Sequence, residues 1–152
     1  MARIDIERVK EGAREIRESL EKIRHYAALP DAEFFADERN LYTVMHLLLI
    51  AIEATASLCT HILAKTARKA PSSHAECFEG LRDLGIVDDE LASRLVKMVR
   101  FRNLLVHRYW EVDPVRVLDY AREDLGDFEA FMAAVEGFVR RGVLTSKLRG
   151  ES

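Results

Sequence analysis

The chain has 152 residues, 49% of them hydrophobic and 32% charged, with a net charge of −3. That length suits one domain with a real hydrophobic core, and seven Gly with three Pro argue against a many-turned β architecture. The slight negative charge excludes a whole-surface attraction for nucleic acid, so any such binding must come from a local basic patch.

A first helix is expected from about Asp5 to Ala28, with Ile6, Val9, Ala13, Ile16, Leu20 and Ile23 on one face. Its charged start lacks the apolar centre of a signal peptide. Pro30 ends it, and "DAEFFADE" reads as a connection anchored by Phe34 and Phe35. Asp37 caps a second helix whose stripe of Leu41, Val44, Leu48, Ile52, Thr55, Leu58 and Ile62 runs to about Ala67. The segment "YTVMHLLLIAIEATASLC" is long enough to span a bilayer. His46 and Glu53 inside it favour a core helix, no membrane and a cytoplasmic protein.

Pro71 breaks that helix, and Ser73 with Glu76 has capping-box spacing for a third, "HAECFEGLRDL". Gly85 suits its left-handed end. Asp88 caps a fourth helix, "DELASRLVKMVRFRNLLVH", and Asp113-Pro114 opens a single final helix marked by Val115, Leu118, Leu125, Phe128, Met132, Val135 and Val139. The expectation is one all-α domain over 1–145, an antiparallel bundle of about five helices, with a frayed tail over 146–152. Cys59 and Cys77 sit in apolar segments without metal-ligand spacing and read as reduced, buried thiols.

The fourth helix carries an anomaly. One seam is Leu91, Leu95, Met98, Arg102, Leu105, Tyr109, and the next is Ala92, Val96, Val99, Asn103, Val106, Trp110. Arg102 interrupts the first and Asn103 the second, while His107 lies one turn beyond Asn103. Two readings stay open. Arg102 can be half of a structural ion pair with Glu53, with Asn103 fixing register and His107 capping a carbonyl. Alternatively, the histidine moves a proton, the arginine stabilises charge on a phosphate, and the 2′-hydroxyl of RNA supplies the nucleophile. One histidine per chain is thin for both acid and base roles, and a symmetric dimer supplies two. His25, His46 and His74 lack convergent partners, and His61 with Lys65 and Arg68 reads as a solvated face. His46 and Glu53 are poorly spaced for a metal. With no Gly-rich loop, GxSxG or CxxC, neither metal nor cofactor is expected.

The stretch "RNLLVHRY" matches the Arg-x4-His-x-Tyr signature of the HEPN superfamily, in its HepT-like branch. The context "AECFEGLRDLGIVDDELASRLVKMVRFRNLLVHRYWEVDPVRV" resembles that branch throughout, "AIEATASLCTHILA" resembles its second helix, and the likeness covers Leu41 to about Phe131. The resemblance implies a homodimeric bundle with two motifs facing across a cleft. It also implies a metal-independent ribonuclease toxin, neutralised by an MNT nucleotidyltransferase that adds AMP to the motif tyrosine. By position, Arg102 and His107 are then the catalytic pair, Asn103 supports them, and Tyr109 is the modification target. Ser57 stands where many relatives carry an acid, which puts any role of that acid in doubt. The second alternative that the resemblance admits is an idle HEPN dimer that only binds a nucleotidyltransferase.

Overall fold

The computed structural model describes residues 4–67 and 70–150, apart from the side chains of 143–147. Among them stand seven α-helices and no strand: α1 (Ile6–Ala27), α2 (Asp31–Ala36), α3 (Glu38–Thr66), α4 (His74–Asp83), α5 (Asp89–His107), α6 (Pro114–Glu123) and α7 (Gly126–Leu148). A 3₁₀ turn, Tyr109–Glu111, follows α5.

Five helices begin where a short polar side chain takes up a free amide. Asp5 accepts from the amides of Glu7 and Arg8, Asp37 from Arg39, Ser73 from Glu76, Asp88 from Leu91 and Asp113 from Val115. The Glu76 carboxylate reaches the amide of Ser72 at 3.2 Å, one residue before the position a capping box specifies. Gly85 has φ +73°, the left-handed conformation that lets the chain turn from α4 towards α5.

The long helix α3 forms the axis of the bundle. Val44, Leu48, Ile52, Leu58 and Ile62 are buried against the helices around it. Helix α3 is long and apolar enough to cross a membrane by composition, yet 61% of its most apolar window is buried inside the bundle. Helix α1 lies closest to it. A Cβ placed on Gly12 would come within 2.7 Å of the Leu58 side chain, so the absence of a side chain there sets the spacing. Phe78 of α4 and Phe131 of α7 meet edge to face at 6.0 Å, closing the far side of the core.

Several expectations are corrected. The supposed connection after Pro30 is a helical turn, α2, and it buries Phe34 but leaves Phe35 exposed. The expected final helix is two. The chain breaks at Asp124, Leu125 turns into the core, and α7 restarts at Gly126, a poor helix former. Arg94 of α5 fixes the restart through Asp127 at 2.7 Å. The inward face of α6 is Val117, Leu118 and Ala121, while Val115 is exposed. Arg122 ties α6 to the end of α1, donating to the carbonyls of Ala27 at 3.0 Å and Leu29 at 2.9 Å and pairing with Asp31 at 2.7 Å. Helix α7 runs to Leu148, into the segment expected to fray, and residues 151–152 lie outside the described residues.

Cys59 and Cys77 are not free thiols. They form a disulfide between α3 and α4, with Cα atoms 6.2 Å apart. Each was correctly read as buried. Their pairing depends on how α3 and α4 pack, which a separation of 18 residues does not disclose.

Candidate active site

Helix α5 buries Leu91, Leu95, Met98, Phe101 and Leu105, so its inward face is ordinary until the last two turns. There Arg102 comes to the edge of the core, with 22% of its side chain exposed, and Glu53 of α3 meets it. Arg102 Nε donates to Glu53 Oε1 at 2.5 Å, and Nη1 donates to Asn103 Oδ1 at 3.2 Å. Among the described residues its Nη2 has no partner. The guanidinium is therefore held along one edge and free along another.

The structural ion pair weighed from sequence does form. The roles attached to it do not. Asn103 is exposed and bonds only its neighbour, so it sets no register between helices. His107 is exposed and makes no hydrogen bond among the described residues, so it caps no carbonyl. These two side chains satisfy no structural need.

Tyr109 and Trp110 leave the rows on which a continued helix would put them. Helix α5 ends at His107. Arg108 adopts φ −142° and ψ 41°, its amide bonding Leu104 at 2.9 Å, and the 3₁₀ turn begins. Tyr109 is 54% and Trp110 68% exposed, their rings edge to face at 5.3 Å. Val106 is exposed as well, so the end of α5 presents the Arg102 cation, an amide, an imidazole and an uncovered apolar fringe, with exposed Arg100 and Arg108 beside them.

Beside Asn103 opens a groove of about 590 Å³ between α4 and α5, lined among others by Thr60, Ser73, His74, Val99 and Arg100. His74, read from sequence as lacking partners, lies on its wall. Among the described residues no three His, Cys, Asp or Glu stand close enough to hold a metal ion.

His61 is also misread as part of a merely solvated face. Its Nε2 accepts the backbone N–H of Asp5 at 3.1 Å, joining α3 to the start of α1. Burial, with the Arg8 and Lys65 charges, holds its pKa below the ordinary 6.5, against the opposing pull of Asp5. Arg68, the third member of that face, lies outside the described residues. Next to His61, Arg8 of α1 donates through Nη2 to Ser57 Oγ at 3.0 Å. The one available sequence signal was the row Glu53, Ser57, His61, Lys65 at four-residue spacing on α3.

Comparison with known proteins places this geometry in context. Residues 16–135 match the family model described as ribonuclease HepT-like. A protein of Archaeoglobus fulgidus whose name proposes an RNase is 32% identical over 98 residues, 64% of this chain and 74% of its own length. The mRNA nuclease HepT of Shewanella oneidensis is 30% identical over 84 residues, 55% of this chain and 63% of its own length. The fold is that of the tri-AMPylated Shewanella oneidensis HEPN toxin solved in complex with its MNT antitoxin. That likeness has a TM-score of 0.79 at 24% identity, over 86% of this chain and 97% of the other.

Proposed function

The chain belongs to the HepT-like ribonuclease family, and from that membership we propose that it is a metal-independent endoribonuclease toxin in the cytoplasm. Its antitoxin is an MNT-type nucleotidyltransferase. Two copies pair so that both Arg102–His107 motifs face one cleft.

In that cleft one His107 takes the proton of a 2′-hydroxyl, and the 2′-oxygen forms a bond to the adjacent phosphorus. The bond from phosphorus to the 5′-oxygen breaks, and the other His107 gives that oxygen a proton. The products are a 2′,3′-cyclic phosphate and a 5′-hydroxyl. Arg102 stabilises the charge that grows on the phosphoryl oxygens, a role for which a preset guanidinium with a free Nη2 is suited. Asn103 holds Arg102 from the second side. AMP placed on Tyr109 adds an anion beside the motif and repels the substrate phosphate.

The observation that carries this reading is the contrast within α5. Arg102 is oriented by Glu53 and Asn103, while His107, five residues on, is exposed and has no structural partner. The test is cleavage of RNA by the purified protein in EDTA. Arg102→Ala and His107→Ala should each lose cleavage by at least about 100-fold with the helical signal intact. Cleavage that survives both changes sinks the proposal.

A second reading is an idle dimer that binds the nucleotidyltransferase. It is favoured by one fact, that Glu53 satisfies Arg102 without substrate. A wild-type protein that binds the transferase but cleaves no RNA supports it.

A further inference from the structure

Resting on the ribonuclease reading, we propose that Arg8 and Ser57 form a second phosphate-binding position for the RNA strand, one helical turn along α3 from the Arg102 position. Two arginines reach α3 from two different neighbouring helices. Arg102 comes from α5 to Glu53, and Arg8 comes from α1 to Ser57. Glu53 and Ser57 are four residues apart, so the two contacts are one turn, about 6 Å, from each other. That step is comparable to the one between neighbouring phosphates of a nucleotide strand.

The two arginines differ in charge balance. Arg102 faces a carboxylate. Arg8 faces only a hydroxyl, and no carboxylate lies within ion-pair distance of it among the described residues. The nearby Asp5 carboxylate is occupied by the amides of Glu7 and Arg8, which it caps. His61, on the same side, offers Nε2 as an acceptor to the Asp5 amide and so is neutral there. Lys65 adds a further positive charge one turn on. Arg8 thus keeps a full, exposed positive charge, orientated by a hydroxyl that can itself donate to a phosphate oxygen. In a chain with net charge −3, such a local site is what RNA binding requires.

The test measures binding of a fluorescent 2′-O-methyl oligouridine, which this chemistry cannot cleave, together with steady-state cleavage of unmodified RNA. Arg8→Gln should weaken binding about tenfold and lower the slope of log affinity against log salt by about 0.7, the value for one lost single-strand phosphate contact. KM should rise while kcat holds. Ser57→Asp is the decisive variant. It gives Arg8 a carboxylate partner, so it should preserve or raise Tm and yet weaken oligouridine binding as much as Arg8→Gln. Were the contact only structural, Ser57→Asp would leave binding unchanged. A protein that cleaves RNA, with binding and salt slope unaltered in both variants, overturns this contact alone. A wild-type protein that neither binds oligouridine nor cleaves RNA overturns the ribonuclease reading with it.

Discussion

Glu53 holds Arg102 by its Nε, 2.5 Å across the junction of α3 and α5, and so fixes which edge of the guanidinium faces outward. The pair is part-exposed, with 22% and 42% of the two side chains accessible. Its net contribution to stability is therefore at most about 1 kcal/mol. Its greater effect is on the orientation of Arg102. Glu53→Gln keeps an acceptor but removes the charge, and it should lower kcat/KM on RNA about tenfold while moving Tm by less than about 4 °C. Paired activity and melting measurements check this. A large fall in Tm with unchanged kcat would make the pair structural.

His61 gives a pH-dependent stability of definite sign. Its folded pKa lies below the ordinary 6.5, chiefly from burial and then from Arg8 and Lys65. Its contribution is complete above 6.5 and is lost as pH falls through the folded pKa, because the half-buried imidazole must take up a proton. Protonating Nε2 also removes the acceptor for the Asp5 amide. Wild-type Tm should fall between pH 7.5 and pH 5 more steeply than that of His61→Gln. Identical slopes in the two proteins contradict the assignment.

The bond between Cys59 and Cys77 closes a loop with a sequence separation of 18. Loop-closure entropy for that size gives about 3 kcal/mol. Reductant should then lower Tm by about 6–12 °C. The double variant Cys59→Ala/Cys77→Ala should melt low with or without reductant. Calorimetry of both proteins in both conditions is the check.

Trp110 is the only tryptophan in the chain and touches the Tyr109 ring at 5.3 Å. Adenylylation of Tyr109 must change the surroundings of that indole. Incubation with the cognate nucleotidyltransferase and ATP should shift or quench Trp110 emission in step with the gain of AMP seen by intact mass. Tyr109→Phe should show neither change. A mass gain that persists in Tyr109→Phe places the modification elsewhere.

What was legible in the sequence is what local chemistry decides. A cap acts on amides two or three residues away, so Asp37, Ser73, Asp88 and Asp113 could each be read without knowledge of the fold. Arg102 and Asn103 were visible because each broke a regular apolar row. Four features were hidden for physical reasons. The row Leu118 to Leu125 keeps seven-residue spacing across the break at Asp124, so periodicity could not reveal that α6 and α7 are separate. The fourth helix read from sequence ends at His107, as α5 does, but its seams run on to Tyr109 and Trp110, because neither Gly nor Pro marks the turn at Arg108 that takes them off those rows. The disulfide and the Arg8–Ser57 contact join separate helices, and only tertiary packing brings their members together.

The link between α5 and α6 sets a limit on reach. It runs only from Arg108 to Asp113, with α5 folded into the bundle on one side and α6 fastened to α1 by Arg122 on the other. Tyr109 is two residues from the end of α5, and two fully extended residues span only about 7 Å. The tyrosine cannot be drawn far from the body of the protein. Any enzyme that modifies it must come up against the helical surface, because the short link cannot carry Tyr109 out to it.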